Sequence, residues 1–262
     1  MLYYSPINDL KSIMMRGAKK MLKSELVERL EELFAIGGNH DTVKSIEMRH
    51  KFKGFLSQDE YLLGDHDRDN ENVRIARDTI RFIDANNTYA NTSCVVEASK
   101  HLNPFFDRLL QQEKWNYYEL LFFVGSSHVT ESVEQAIRLG LEAIIKSVEF
   151  YNKDRIGILE GHLSCNTCAR ILYAKYFDED ADKKYFLSGE FQNWFERLRR
   201  LARDHKELEV QSLVTKIRHA LFERNETAKY MKELEENHDK KIVDSIEREV
   251  QFYMTSNGYM FS

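Results

Sequence analysis

His162, Cys165 and Cys168, with the distant Cys94, are the side chains whose types best suit a metal ion. An imidazole and thiolates can close a zinc shell, but structural zinc usually draws its cysteine pair from a tight turn. Here the spacing falls on one uninterrupted helical pattern, where a three-residue step turns the side chain by about 300° and splays the sulfurs. We read the cysteines as small apolar residues in a close helix contact, so neither a metal nor a cofactor is expected. Cys94, His162, Cys165 and Cys168 stay as the alternative ligand set. A second chemistry needs an arginine shortly before a histidine: the imidazole moves the proton of an attacking hydroxyl and the guanidinium holds a phosphate. Arg200 with His205 fits that spacing, as does Arg155 with His162.

The densest cationic run is Arg197, Arg199, Arg200, Arg203 and Lys206, beside Trp194 and Phe195. A nucleic-acid surface wants cations interleaved with exposed aromatics. At helical spacing, however, Phe191, Trp194, Phe195, Leu198 and Leu201 share one face, which reads as core with the arginines left in solvent. Arg197, Arg199 and Arg203 are then an expected surface for a protein partner, and an acidic one would suit their charge. Trp115, Tyr117, Tyr118, Phe122 and Phe123 are also spaced as a helix core rather than a ligand groove. No glycine-rich phosphate loop, nucleophile elbow or pair of catalytic carboxylates is legible.

All of these residues depend on helices to position them. From Thr130 to Phe177, two amphipathic segments are separated only by Asn152-Lys153-Asp154. The first predicts a buried stripe of Val133, Ile137, Leu141, Ile144, Val148 and Tyr151. The second predicts Ile158, Gly161, Cys165, Cys168, Leu172 and Tyr176. So short a connection makes the two an antiparallel hairpin. The chain has 2 prolines and 11 glycines in 262 residues, against about 13 and 18 at average usage. Long helices are therefore the economical reading, and the expected fold class is all-α. A hydrophobic content of 42% supports a core, and a net charge of -5 argues against a protein that coats nucleic acid. The sequence offers neither the roughly 18 consecutive apolar residues of a membrane span nor a signal-peptide core. With 3 cysteines, too few and too odd for a disulfide framework, a cytoplasmic protein without membrane contact is expected.

In chain order, helices are expected over about Pro6 to Gly17, with Ser5 as its cap, Ala18 to Ala35 and Thr42 to Lys53. The octet Gly54-Phe55-Leu56-Ser57-Gln58-Asp59-Glu60-Tyr61 follows, with Ser57 and Glu60 spaced as a capping box. Asp65, Asp67 and Asp69 take the first positions of a calcium loop, but Asn70, Asn72 and Ala76 stand where glycine, an apolar residue and glutamate are needed. We read a solvated turn before a helix of about Glu71 to Ile83. Asp84 to Thr92, with three asparagines, is the expected linker between a module of residues 1–86 and a domain of 92–262. Further helices are expected near Cys94 to Leu102, Asn103 to Gln112, Asn116 to Val124, Lys184 to Asp204, Lys206 to Arg224 and Thr227 to Met254. The result would be a small N-terminal helical module followed by an antiparallel helical-hairpin array, solenoid-like or bundled.

The octet, together with Asn72, Arg74, Ile75, Ile80 and Ile83, resembles the effector-associated domain of the eleventh type, a helical adaptor module attached to components of bacterial conflict and antiphage systems. The resemblance covers at most the first 90 residues, and the segment from Leu62 to Glu71 is longer than that pattern has. It implies docking to another protein through a like domain, with Gly54, Leu56, Ser57, Glu60, Tyr61 and Arg74 at the contact and a homo-oligomer as one outcome. In helix length and in its small residues Ala136, Gly140, Gly161 and Ala169, the remainder resembles a tetratricopeptide-type array, although the 34-residue signature is not legible. The Arg200–His205 spacing also resembles that of the HEPN ribonucleases, with Leu201 departing from the polar residue that family places there. The expected function is a non-enzymatic adaptor or scaffold for protein–protein interaction in a bacterial conflict setting. The alternatives are a ribonuclease using Arg200 and His205, and a sensor of peptides or small molecules.

Overall fold

The helix that opens at Glu71 does not stop at Ile83 but runs through the expected linker to Thr92 (α1, Glu71–Thr92). Ala85 and Tyr89, four residues apart among the asparagines, are both buried and supply the apolar face that periodicity failed to reveal there. The polar residues find partners along the way: Asn86 donates to the Phe82 carbonyl (2.8 Å) and Thr92 to that of Thr88 (2.8 Å).

The computed structural model describes residues 71–92, 94–148, 153–177, 180–223 and 226–256. Among them every regular element is helical and there is no strand, so the fold class is all-α. None of these helices is long and apolar enough to cross a membrane. The helices expected before Glu71, the octet Gly54 to Tyr61 and the acidic turn lie outside the described residues. The described residues form two units, 71–131 and 132–256, divided between Glu131 and Ser132 rather than at the asparagine-rich stretch.

In the first unit α1 packs along α2 (Val95–Gln111), and α3 (Tyr117–Ser126) leans on α1. Sequence predicts a break at Asn103-Pro104, yet α2 passes straight through Pro104. The lost hydrogen bond and ring clash cost about 3 kcal/mol. Leu102, Phe105, Phe106 and Leu109 are all at most 1% exposed on either side of it, and each contributes about 1.5–3 kcal/mol on burial, so one continuous face wins. Trp115, Tyr118, Phe122 and Phe123 are core, with Phe123 edge-on to both Phe106 and Trp115. Asn116 and Glu119 start α3 with a reciprocal cap, each side chain taking the other's backbone N–H (2.9 and 2.7 Å).

The second unit is built round α5 (Lys153–Tyr176), which is buried on nearly every side from Gly161 to Ala174. Packed against it are α4 (Val133–Ser147), α6 (Asp180–Leu187), α7 (Glu190–Asp204) and α8 (Glu209–Phe222). The hairpin of α4 and α5 is present, but α4 is rotated from the expected stripe. Its buried face is Val133, Ala136, Leu139, Gly140, Ala143 and Ser147, while Leu141, Ile145 and Val148 are exposed. The helix expected from Lys184 to Asp204 is two helices, divided at Gly189, whose φ of 83° suits glycine. The helix expected from Thr227 to Met254 is likewise divided into α9 (Thr227–Asn237) and α10 (Lys240–Ser256). Extended His238 separates them, and the Asp239 carbonyl opens α10 by accepting from Ile242 and Val243. Leu234, Ile242, Val243 and Ile246 pack with Val210, Leu213, Val214 and Ile217 of α8 in one cluster.

Candidate functional site

Helices α7, α8 and α9 enclose an open cleft of about 670 Å³, within the size range of ligand sites. α7 amphipathicity puts it there. Phe191, Trp194 and Leu198 are buried on one face, so Glu196, Arg199 and Arg203 turn to the other and form one wall. From α8 come Glu209, Ser212, Leu213 and Lys216, and from the end of α9 Glu233, Asn237 and His238. Leu213 is buried and gives the cleft an apolar floor.

The charges in this cleft are mixed and mostly unpaired. Arg199 is bound to Glu196 on its own helix at 3.2 Å. Arg203 has no ion pair or hydrogen bond from its side chain among the described residues, and Lys216 only approaches the Tyr230 ring, at 5.9 Å. The carboxylates of Glu209 and Glu233 likewise form no ion pair there. Two cations and two anions therefore face one space with no ion pair between them.

Of the arginines expected at a surface, Arg199 and Arg203 meet in this cleft and Arg197 does not. Arg197 is bound to Glu160 of α5 and lies over the Trp194 ring at 5.3 Å, so it fastens α7 to the central helix. Arg74 turns toward buried Glu119, 3.8 Å away. Gly54, Leu56, Ser57, Glu60 and Tyr61 lie outside the described residues, as do the side chains of Tyr117 and Arg155.

Arg200 and His205 part company at the end of α7. Arg200 is exposed and has no partner among the described residues. His205 caps the helix through its backbone N–H to the Leu201 carbonyl and lays its ring on Gly157 of α5. His162 is buried with no hydrogen bond to Nε2 among the described residues, and burial pushes its imidazole down to about 4.

The thiols diverge as the helical step requires. Cys165 donates to the Gln211 carbonyl of α8 (3.8 Å) and accepts from the Thr215 hydroxyl (3.4 Å). Cys168 points to the Phe191 carbonyl of α7 (3.9 Å), and burial holds its thiol well above the ordinary range. Cys94 precedes α2 in the other unit. Among the described residues no three histidine, cysteine, aspartate or glutamate side chains gather to hold a metal ion.

No family model, curated protein or solved structure matches the chain. Sequence spacing singled out Arg199 and Arg203 of the α7 wall; it did not single out Lys216, Glu209 and Glu233, because their approach depends on the tertiary packing of α7, α8 and α9. The one available signal was the division near His238, which ends α9 beside the cleft.

Proposed function

We propose that this protein is a non-enzymatic adaptor and that the second unit docks a partner protein in the cleft of α7, α8 and α9. The observation that carries the reading is the set of unpaired charges facing that cleft, Arg203 and Lys216 with Glu209 and Glu233. Such charges steer and select a partner more than they hold it. The expected adaptor role of the N-terminal residues, through contact with a like domain, belongs to the same proposal, as does a setting in bacterial conflict. A ribonuclease using Arg200 and His205 has less support, since the His205 ring lies on Gly157 while Arg200 stands in solvent.

The test compares intact protein with the double variant Arg199→Glu, Arg203→Glu as bait for proteins of its host, with RNA cleavage assayed in parallel. Partners held by the wild type and released by the variant, at an unchanged melting temperature, are the expected result. An identical captured set, or RNA cleavage that His205→Ala abolishes, would remove the adaptor reading.

A further inference from the structure

We infer that the cleft takes a short polypeptide segment carrying side chains of both signs, an acidic one meeting Arg203 and Lys216 and a basic one meeting Glu209 and Glu233. This rests on the docking role proposed above and names the chemistry of the partner. Four charges, two of each sign and none in an ion pair among the described residues, line a space of about 670 Å³. A nucleic acid or an anionic membrane would satisfy Arg203 and Lys216 but set phosphates against Glu196, Glu209 and Glu233. A purely basic segment would be repelled by the arginines of α7. A polypeptide carries both signs at a spacing its sequence can adjust.

The rest of the lining agrees with a peptide. Ser212 and Asn237 offer donors and acceptors of the kind a backbone needs, and Leu213 and Ala202 give a small apolar floor. Exposed ion pairs contribute little affinity singly, so several are needed, and their arrangement decides which segment is accepted. The Arg199–Glu196 pair, both exposed, is an internal link that a bound carboxylate can break into.

The test uses the full chain immobilised against a positional-scanning library of peptides about nine residues long. The wild type is expected to select an acidic residue at one position and a basic residue at another. Arg203→Glu with Lys216→Glu should lower the acidic preference at least about tenfold, and Glu209→Lys with Glu233→Lys should do the same to the basic preference. Single Arg203→Gln and Glu233→Gln variants carry the test if either double variant unfolds. Selection of apolar or single-sign peptides, no selection, unchanged preferences in the variants, or single-stranded RNA binding that Arg203→Glu removes would each overturn the inference. If no peptide is selected while capture of host proteins still depends on Arg203, the ligand class is wrong and the docking role stands.

Discussion

His205 stands where a side chain at Gly157 would have to go, its Nε2 2.5 Å from the position of the missing Cβ. One turn further along α5, a Cβ on Gly161 would meet Leu208, with Cδ2 at 2.7 Å. The two glycines let the turn between α7 and α8 lie directly on the central helix. Leu208 is fully buried and cannot move aside, whereas His205 is only partly buried. Gly161→Ala is expected to cost about 1–3 kcal/mol by overpacking, and Gly157→Ala less, because the imidazole can swing outward. Urea denaturation of both variants checks the order; an equal cost would contradict it.

Helix content was legible because periodicity and the scarcity of proline act locally. Partner choice was not. Nothing near Arg197 announces that Glu160, 37 residues earlier, will take its guanidinium. Nor does a sequence reveal that α4 turns its small residues inward. Starting from the shared Val133, the row Ile137, Leu141, Ile144 and Val148 makes as good a helical stripe as the buried one, and only tertiary packing decides between them. The breaks at Gly189 and His238 were open to inspection. The first carried a glycine whose left-handed φ ends one helix and admits the next, and the second an Asn-His-Asp run that competes for backbone partners.

That rotation of α4 has a direct consequence. Ile145 is 68% exposed and Leu139 fully buried. Ile145→Lys should leave stability within about 0.5 kcal/mol of wild type, whereas Leu139→Ala should cost about 2–5 kcal/mol. Thermal melts decide the matter; the reverse order would restore the stripe read from sequence.

Two buried carboxylates in the first unit share one arginine. Arg108 Nη2 lies 2.6 Å from Asp78 of α1, and Nη1 lies 3.3 Å from Glu119 of α3. Burial raises the Asp78 carboxyl despite the opposing pull of Arg108 and Arg81. Its ionisation therefore weakens the fold as pH climbs from 3.8 through that raised value. Arg108→Met leaves both anions short of their shared cation and should cost on the order of 3 kcal/mol, more than Arg81→Met, whose side chain is 38% exposed. Chemical denaturation of the two variants at neutral pH gives the comparison.

His162 makes acid stability a test of its burial. Its imidazole falls from 6.5 to about 4 because burial disfavours the charged form, so the unfolded chain binds the proton more readily than the native one between those values. Stability is whole above pH 6.5 and is lost as pH falls toward 4, by about 3 kcal/mol from this group. His162→Leu should flatten that part of the profile. Denaturation midpoints at pH 7.5, 6, 5 and 4.5 follow it, and an unchanged slope would place the proton elsewhere.

Asp182 joins three helices through a single oxygen. Its Oδ2 accepts the Val133 N–H at the start of α4 (3.0 Å) and lies 3.4 Å from Arg170 Nη2 of α5, a side chain with no exposure at all. A carboxylate suits both duties, since the first turn of a helix favours negative charge and a buried guanidinium needs an anion. Asp182→Ala strips Arg170 of that anion and α4 of a capping acceptor, with an expected cost of about 3–5 kcal/mol. Asp182→Asn keeps an acceptor oxygen but not the charge and should fall between. If the cost comes mainly from the lost ion pair, Arg170→Met will recover most of it in the Asp182→Ala background, and a double-mutant cycle measures how much. Additive losses would mean that the helix cap, not the ion pair, is what Asp182 supplies.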